Sequence, residues 1–294
     1  MVKLATTLDR PPSLFFKKWI DYHTSLFDVN SFVFFNHSDD NEQLVDYLAS
    51  IGMDTVTFTV TVYTEGNVKE FVQCGLDSNK SFIIHCPLKC LLKNEYNVYH
   101  LSIHESNNVI NYIKSVIITN NYKLIYLDLD ELIVSSDVNS VLEETFDHIV
   151  PMGFTVIQNS SESCLNWDVP IHRQRSFWRR EPFFYDKPIV IAKDLNWGIG
   201  RHLHHHTNMF ADGENILEIE ARPDIILLHL RDVCFDYLFE ENQLSLEIYP
   251  NSEQRHRTVW QEKESFIQWI NEERRVDLEL IPDDIMLLLQ KYNI

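Results

Sequence analysis

A chain of 294 residues with 45% hydrophobic and 23% charged side chains can bury one large core, or two small ones that share it, and is not a disordered polymer. Its 25 Lys and Arg against 44 Asp and Glu leave a formal net charge of −19, so a nucleic-acid partner, which would need a concentrated basic stripe, is not expected. Five cysteines without a Cys-x-x-Cys pair make neither a disulfide framework nor a zinc–thiolate site.

The apolar start of the chain is broken by Asp9 and Arg10 before a signal peptide can form, and nowhere do 18 apolar residues follow one another. A cytoplasmic protein without a transmembrane segment is the expectation, and weak peripheral membrane association stays open. The sequons at Asn36, Asn79 and Asn159 carry meaning only in a secretory pathway.

Residues 2–8 are β-rich enough for a first strand. Pro11 and Pro12 break it, and Ser13 can cap a helix to about Leu26, with Phe15, Trp19, Tyr22 and Leu26 at helical spacing. Phe32 to Phe35 reads as a buried strand, Leu44, Tyr47, Leu48 and Ile51 mark a helix, and residues 55–63 are β-branched enough for a third strand. That alternation predicts a mostly parallel sheet covered on both faces. Between residues 64 and 105 only a short strand at Ser81 to Ile84 stands out, and residues 108–119 read as a helix. A buried-type strand at 123–127 leads into Asp128-Leu129-Asp130-Glu131, and Ser135 and Ser136 can cap a helix after Val134. Strands near 154–158, 188–192 and 224–230 and helices near 232–242, 266–271 and 282–292 complete the chain.

The acidic tetrad is the sharpest local signal. In an open α/β sheet the carboxyl end of a central strand borders the ligand crevice, and two convergent carboxylates suit Mg²⁺ or Mn²⁺. A solvated turn whose acids cap the next element is the competing reading. Asp39 and Asp40 end the second strand: one can accept a hydrogen bond from a nucleobase, or cap the helix from Asn41. His202, His204, His205 and His206 do not stand at zinc spacing, and one of them can approach a metal or phosphate. His229, inside an apolar run, is either a satisfied core histidine or a ligand. Arg173, Arg175, Arg179 and Arg180, with Trp167, Trp178 and aromatic neighbours, suit a sugar- or phosphate-binding loop or a packed surface loop.

Two ordered motifs carry a resemblance. Trp19-Ile20-Asp21-Tyr22-His23 followed by Asn36-His37-Ser38-Asp39-Asp40, and then Asp128-Leu129-Asp130-Glu131-Leu132, resemble the family 2-like and family 92-type glycosyltransferases of GT-A fold. Lys187-Pro188, Trp197 to His202 and Leu228-His229-Leu230 are weaker matches in the same order. Lys18 stands where those enzymes commonly have an acid. The resemblance implies an α/β GT-A-like nucleotide-diphospho-sugar transferase fold, with a catalytic domain over residues 1–240 (donor-binding half 1–134, acceptor-side half 135–240) and a packed C-terminal helical extension over 241–294.

It further implies a Mn²⁺- or Mg²⁺-dependent hexosyl transfer from a nucleotide-sugar, by default a UDP-sugar, to a hydroxyl of a glycan or lipid-linked glycan. Asp128 and Asp130, with His229 or His202, would hold the metal. Thr6, Asp39 and Asp128 would face the nucleotide-sugar. In an inverting reaction Asp168 or Glu181 would be the catalytic base, a retaining reaction being the alternative, and Trp167, Arg179 and Trp197 would shape the acceptor side. An inactive carbohydrate-binding relative and a metal-dependent nucleotidyltransferase are the alternatives.

Overall fold

The computed structural model describes residues 1–8, 13–38, 40–60, 64–87, 98–181, 187–193, 221–248 and 262–294. The expected alternation opens the chain as strand β1 (Val2–Leu8), helix α1 (Leu14–Thr24), β2 (Phe32–Asn36), α2 (Asn41–Ser50) and β3 (Thr55–Thr59). Helix α3 (Glu65–Asp77), which the sequence reading passed over, precedes β4 (Ser81–His85). Helix α4 (Val98–Thr119) is ten residues longer at its start than the stretch read as helical, and β5 (Lys123–Tyr126) follows it. Then come β6 (Glu131–Val134), α5 (Val138–Glu143), β7 (His148–Ile149), β8 (Pro151–Val156), β9 (Phe177–Arg180), β10 (Val190–Ile191), β11 (Arg222–His229) and α6 (Phe235–Ile248). Helix α7 (Lys263–Trp269) runs into a π-turn over Ile270–Arg274, and β12 (Glu279–Leu280) and α8 (Asp283–Lys291) end the chain.

Local chemistry sets several of these boundaries. Ser13 caps α1 by accepting the Phe16 N–H at 3.2 Å. Asp40 caps α2 through the Gln43 N–H at 3.0 Å, which decides the capping role for Asp40. Thr64 caps α3 through Asn67. The cap of α5 is Asp137, not the expected Ser135 or Ser136: the Ser135 side chain is buried and accepts the Asp137 N–H, which leaves the Asp137 carboxylate to take the Ser140 N–H.

Where one central sheet was expected, the strands of the described residues form two. Seven lie in the order β3-β4-β2-β1-β5-β10-β7, and five in the order β12-β9-β8-β11-β6. In the first, β1 to β5 are mutually parallel and β10 runs antiparallel to both β5 and β7. Strand alternation gives this sheet two apolar faces. Leu4, Phe32, Phe34, Ile83 and Ile125 share a core with α1, α2 and the second sheet, while Ala5, Val33, Phe35, Phe82, Ile84 and Leu124 pack with α3 and α4.

The C-terminal segment is stitched to the second sheet. Strand β12 pairs with β9, and His172 donates its backbone N–H to the Ile294 carbonyl at 3.0 Å, an oxygen that its ring Nδ1 also meets at 2.7 Å. Helix α6 passes without a break through residue 240, where the catalytic domain was expected to end. Among the described residues no helix is long and apolar enough to cross a membrane.

Candidate functional site

The chain moves from one sheet to the other at the acidic tetrad. Leu127 donates its N–H to the Ala5 carbonyl at 3.1 Å as β5 ends, Glu131 closes a turn onto the Asp128 carbonyl at 3.0 Å, and β6 begins. Strand β6 then pairs antiparallel with β11 in a register that sets His229 opposite Glu131. An apolar strand that stops in the sheet interior and a turn that must reverse direction put Asp128 and Asp130 at the carboxyl edge of β5. The ends of β1, β2 and β4 lie along the same edge, because those strands run parallel to β5.

Several contacts organise the turn. Glu131, 1% exposed, accepts the Asp128 N–H on one oxygen at 2.9 Å, and its other oxygen forms an ion pair with the Lys187 ammonium at 2.5 Å. Lys187 Nζ also stands 3.4 Å from Asp128 Oδ2. His229 Nε2 stands 3.2 Å from Asp130 Oδ2, and the Leu230 N–H donates to the Asp130 carbonyl at 2.7 Å. Glu131 therefore shapes the turn from within, and Asp128 and Asp130 keep 38% and 25% of their side chains exposed.

The electrostatics separate Asp130 from Glu131. Burial works against the Asp130 carboxylate, but the charge and hydrogen bond of neighbouring His229 outweigh it, with Asp128 opposing and Arg231 assisting, so its pKa lies below the ordinary aspartate value. Burial pushes the Glu131 carboxyl up, Lys187 pulls against it and Asp128 adds to the rise; the net direction is upward. Asp130 is thus an anion at neutral pH, at the edge where a cation can reach it.

A second polar group lies further along the carboxyl edge. The ring Nδ1 of His37 meets the Cys86 carbonyl at 2.9 Å, and the ring Nε2 of His85 meets the Ser38 carbonyl at 3.0 Å. This reciprocal pair ties the exit of β2 to that of β4. Asn36, fully buried, donates to the Asn41 side chain at 3.0 Å and accepts the Ser38 N–H at 3.0 Å, which fixes the backbone on either side of the position of Asp39.

The other residues singled out from sequence fall in different places. Thr6 is fully buried and lines an apolar internal cavity with Phe35, Ile113 and Tyr126, while the neighbouring Thr7 hydroxyl bonds to the Tyr126 hydroxyl. Glu181 is buried, and its Oε1 meets the guanidinium of Arg179 at 2.5 Å and that of Arg274 at 3.3 Å. Arg179 donates in addition to the Glu273 carbonyl at 2.8 Å. Asp168 is exposed on a turn. Trp167 is half-buried among Phe15 and Tyr237, with ring centroids 5.0 and 5.3 Å away. Trp178 is buried in the core and stacks on Phe154 at 3.9 Å. Asp39, Trp197 and His202 lie outside the described residues.

The motif that opened the resemblance is structural in its first half. Trp19 and His23 are fully buried, and the Tyr22 hydroxyl donates to the Ile133 carbonyl at 2.6 Å. That bond fastens α1 to β6, the strand that leaves the acidic turn. Lys187 is the contributor that sequence reasoning left without a role. Its signal was a single cation placed just before Pro188 and an apolar strand, legible only once β10 is known to lie beside β5.

Among the described residues no three His, Cys, Asp or Glu side chains gather as a protein-only metal cage would require. Asp128 and Asp130 instead suit the arrangement in which one or two carboxylates hold a divalent ion that takes its remaining ligands from a diphosphate and water. Comparison with family models, with curated proteins and with solved structures returns no match.

Proposed function

We propose that the chain is a divalent-cation-dependent glycosyltransferase. It moves a sugar from a nucleotide diphospho-sugar, a UDP-sugar by the resemblance of its motifs, to a hydroxyl of a glycan or lipid-linked glycan. The observation that carries this reading is the placement of Asp128 and Asp130. They stand partly exposed, on a turn fixed by a buried ion pair, at the carboxyl edge of a central strand in a mostly parallel sheet.

In this reading Asp128 and Asp130 hold Mn²⁺ or Mg²⁺. The bound ion supplies charge neutralisation to the departing diphosphate. His229 orients the Asp130 carboxylate, and Glu131 with Lys187 keeps the turn in shape. The nucleoside lies along the edge formed by the exits of β2 and β4, and Asp39 keeps the base-contacting role that the resemblance gives it. Of the two candidate bases, Asp168 is the accessible one, since the Glu181 carboxylate is engaged by Arg179 and Arg274. Trp167 offers a half-exposed ring to the acceptor.

The test is transfer of labelled sugar from a panel of nucleotide-sugars, with Mn²⁺, to oligosaccharide and lipid-linked acceptors. Asp130→Ala is expected to lower transfer roughly 100-fold or more while the fold survives, the loss of several kcal/mol of charge stabilisation. Undiminished transfer by that variant would refute the assignment. Release of pyrophosphate with a nucleotide-linked product would identify a nucleotidyltransferase instead. Binding of nucleotide diphosphate with no sugar moved to any acceptor would identify a carbohydrate-binding relative.

A further inference from the structure

The Asp130–His229 contact depends on the chain that follows β11, and that chain is held from several directions. A 3-10 turn over Arg231–Val233 comes directly after His229 and Leu230. The Asp232 carbonyl accepts the Gln158 N–H at 3.1 Å, and the Val233 carbonyl accepts Arg175 Nε at 2.6 Å. The Asp232 carboxylate, 1% exposed, is met by the guanidinium of Arg274, which comes from the π-turn of the C-terminal segment and also reaches Glu181 at 3.3 Å. The adjacent Arg275 donates to the Gln158 carbonyl at 3.2 Å, and Gln158 in turn accepts the Phe235 N–H at 3.0 Å.

A buried aspartate beside a backbone turn is costly unless a cation meets it, and a well-packed apolar residue often serves stability as well. An ion pair at such a point fixes register: Asp232 can sit in the interior only where Arg274 reaches it. Asp232 is three residues from His229, and Leu230 between them bonds to the Asp130 backbone at 2.7 Å. A shift of the 3-10 turn therefore moves His229 relative to Asp130.

We propose that Arg274 is a positioning residue for the Asp130–His229 pair, acting through Asp232, so that the C-terminal segment sets the geometry of the acidic turn. The consequence for cation binding rests on the reading given under Proposed function; the mechanical link does not. By linkage, whatever binds at Asp130 also stabilises the seat of Arg274 on Asp232.

The experiment compares full-length wild type with Arg274→Gln, Arg274→Lys and, as a control on the same π-turn, Glu272→Gln, whose position is exposed. The first readout is the imidazole ¹H–¹⁵N spectrum at one fixed pH, with the His229 signal identified by its absence from His229→Gln. The second is the affinity for Mn²⁺ alone, followed by water-proton relaxation. Arg274→Gln is expected to move the His229 signal and weaken Mn²⁺ binding by about fivefold or more, the lower end of ordinary coupling between sites. Arg274→Lys should restore part of both, and the control should change neither. A folded Arg274→Gln protein with an unmoved His229 signal would overturn the proposal. Should that variant fail to fold, Asp232→Asn keeps the shape and must move the same signal, and an unmoved signal there overturns the proposal equally. A moved signal with no Mn²⁺ binding by any of the proteins leaves Arg274 as a positioning residue and removes the cation reading.

Discussion

His23 makes a pH-dependent contribution to stability that can be worked out from its surroundings. It is fully buried on α1, with its ring Nδ1 2.8 Å from the Trp19 carbonyl and its ring centroid 4.4 Å from that of Trp19. Burial pushes its pKa down from 6.5 to about 3, only partly offset by the bond to Trp19. The folded protein therefore holds this histidine neutral over a range in which the unfolded chain protonates it. A group of this kind leaves stability unaffected above its unfolded pKa and removes it progressively as pH falls from 6.5 toward 3. The slope is about 1.4 kcal/mol per pH unit, so the loss reaches about 2 kcal/mol at roughly pH 5. Replacing His23 by Phe keeps the apolar contacts with Trp19 and Phe27 and removes the titration. Urea denaturation of both proteins at several pH values between about 7.5 and 5 isolates the term, because every other titrating group cancels in the difference. Wild type should lose about 2 kcal/mol more than His23→Phe across that range. Parallel pH profiles for the two proteins would show that His23 is solvated or charged in the fold and would refute the reasoning.

Other perturbations follow from specific contacts. Gly75→Ala would place a methyl 2.5 Å from Cγ of Phe82, a fully buried ring in β4 with nowhere to move, so a loss of about 1–3 kcal/mol or more is expected in chemical denaturation. Lys187→Met leaves Glu131 buried without its cation and should cost about 3–5 kcal/mol. The double variant Lys187→Met/Glu131→Gln keeps an acceptor for the Asp128 N–H and should recover most of that loss in thermal melts. No recovery would mean that the pair does not act as a unit.

The first half of the fold was legible because its elements are long and cleanly periodic. β1, α1, β2 and α2 show apolar spacing and cap residues that local physics decodes. Helix α3 was passed over although Val68, Val72 and Leu76 recur at four-residue spacing behind a Thr64 cap. Two glycines and a polar exposed face diluted that pattern, and the second glycine is there because Phe82 fills the space a side chain would need. The division into two sheets was not legible, since β6 to β12 are mostly short and their partners are distant in sequence: β9 pairs with β12 across about a hundred residues.

At the site, Asp128 and Asp130 could be found from sequence, because a buried-type strand running into acids signals a strand end. Of their partners, His229 was named beside them only through the resemblance, as a metal ligand, and Lys187 was given no role. Lys187, just ahead of β10, and His229, at the end of β11, reach the turn because topology places those strands beside it. Arg179, Glu181 and Trp178 had the composition of a binding loop. Burial instead gave Trp178 to the core and paired Arg179 with Glu181, Glu181 also meeting Arg274 and Arg179 the Glu273 carbonyl of the C-terminal segment, a distinction that residue types alone do not make.

Calorimetric titration of the full-length protein with uridine diphosphate, with and without Mn²⁺, in wild type and Asp130→Asn, tests most directly whether the acidic turn at the end of β5 is a cation-assisted diphosphate site. Wild type should bind the nucleotide with Mn²⁺ and at least about tenfold more weakly without it, and Asp130→Asn, which keeps the side-chain shape but not the charge, should lose the Mn²⁺-dependent gain. Binding equally tight with or without the metal, or a Mn²⁺-dependent gain that survives Asp130→Asn, would contradict it.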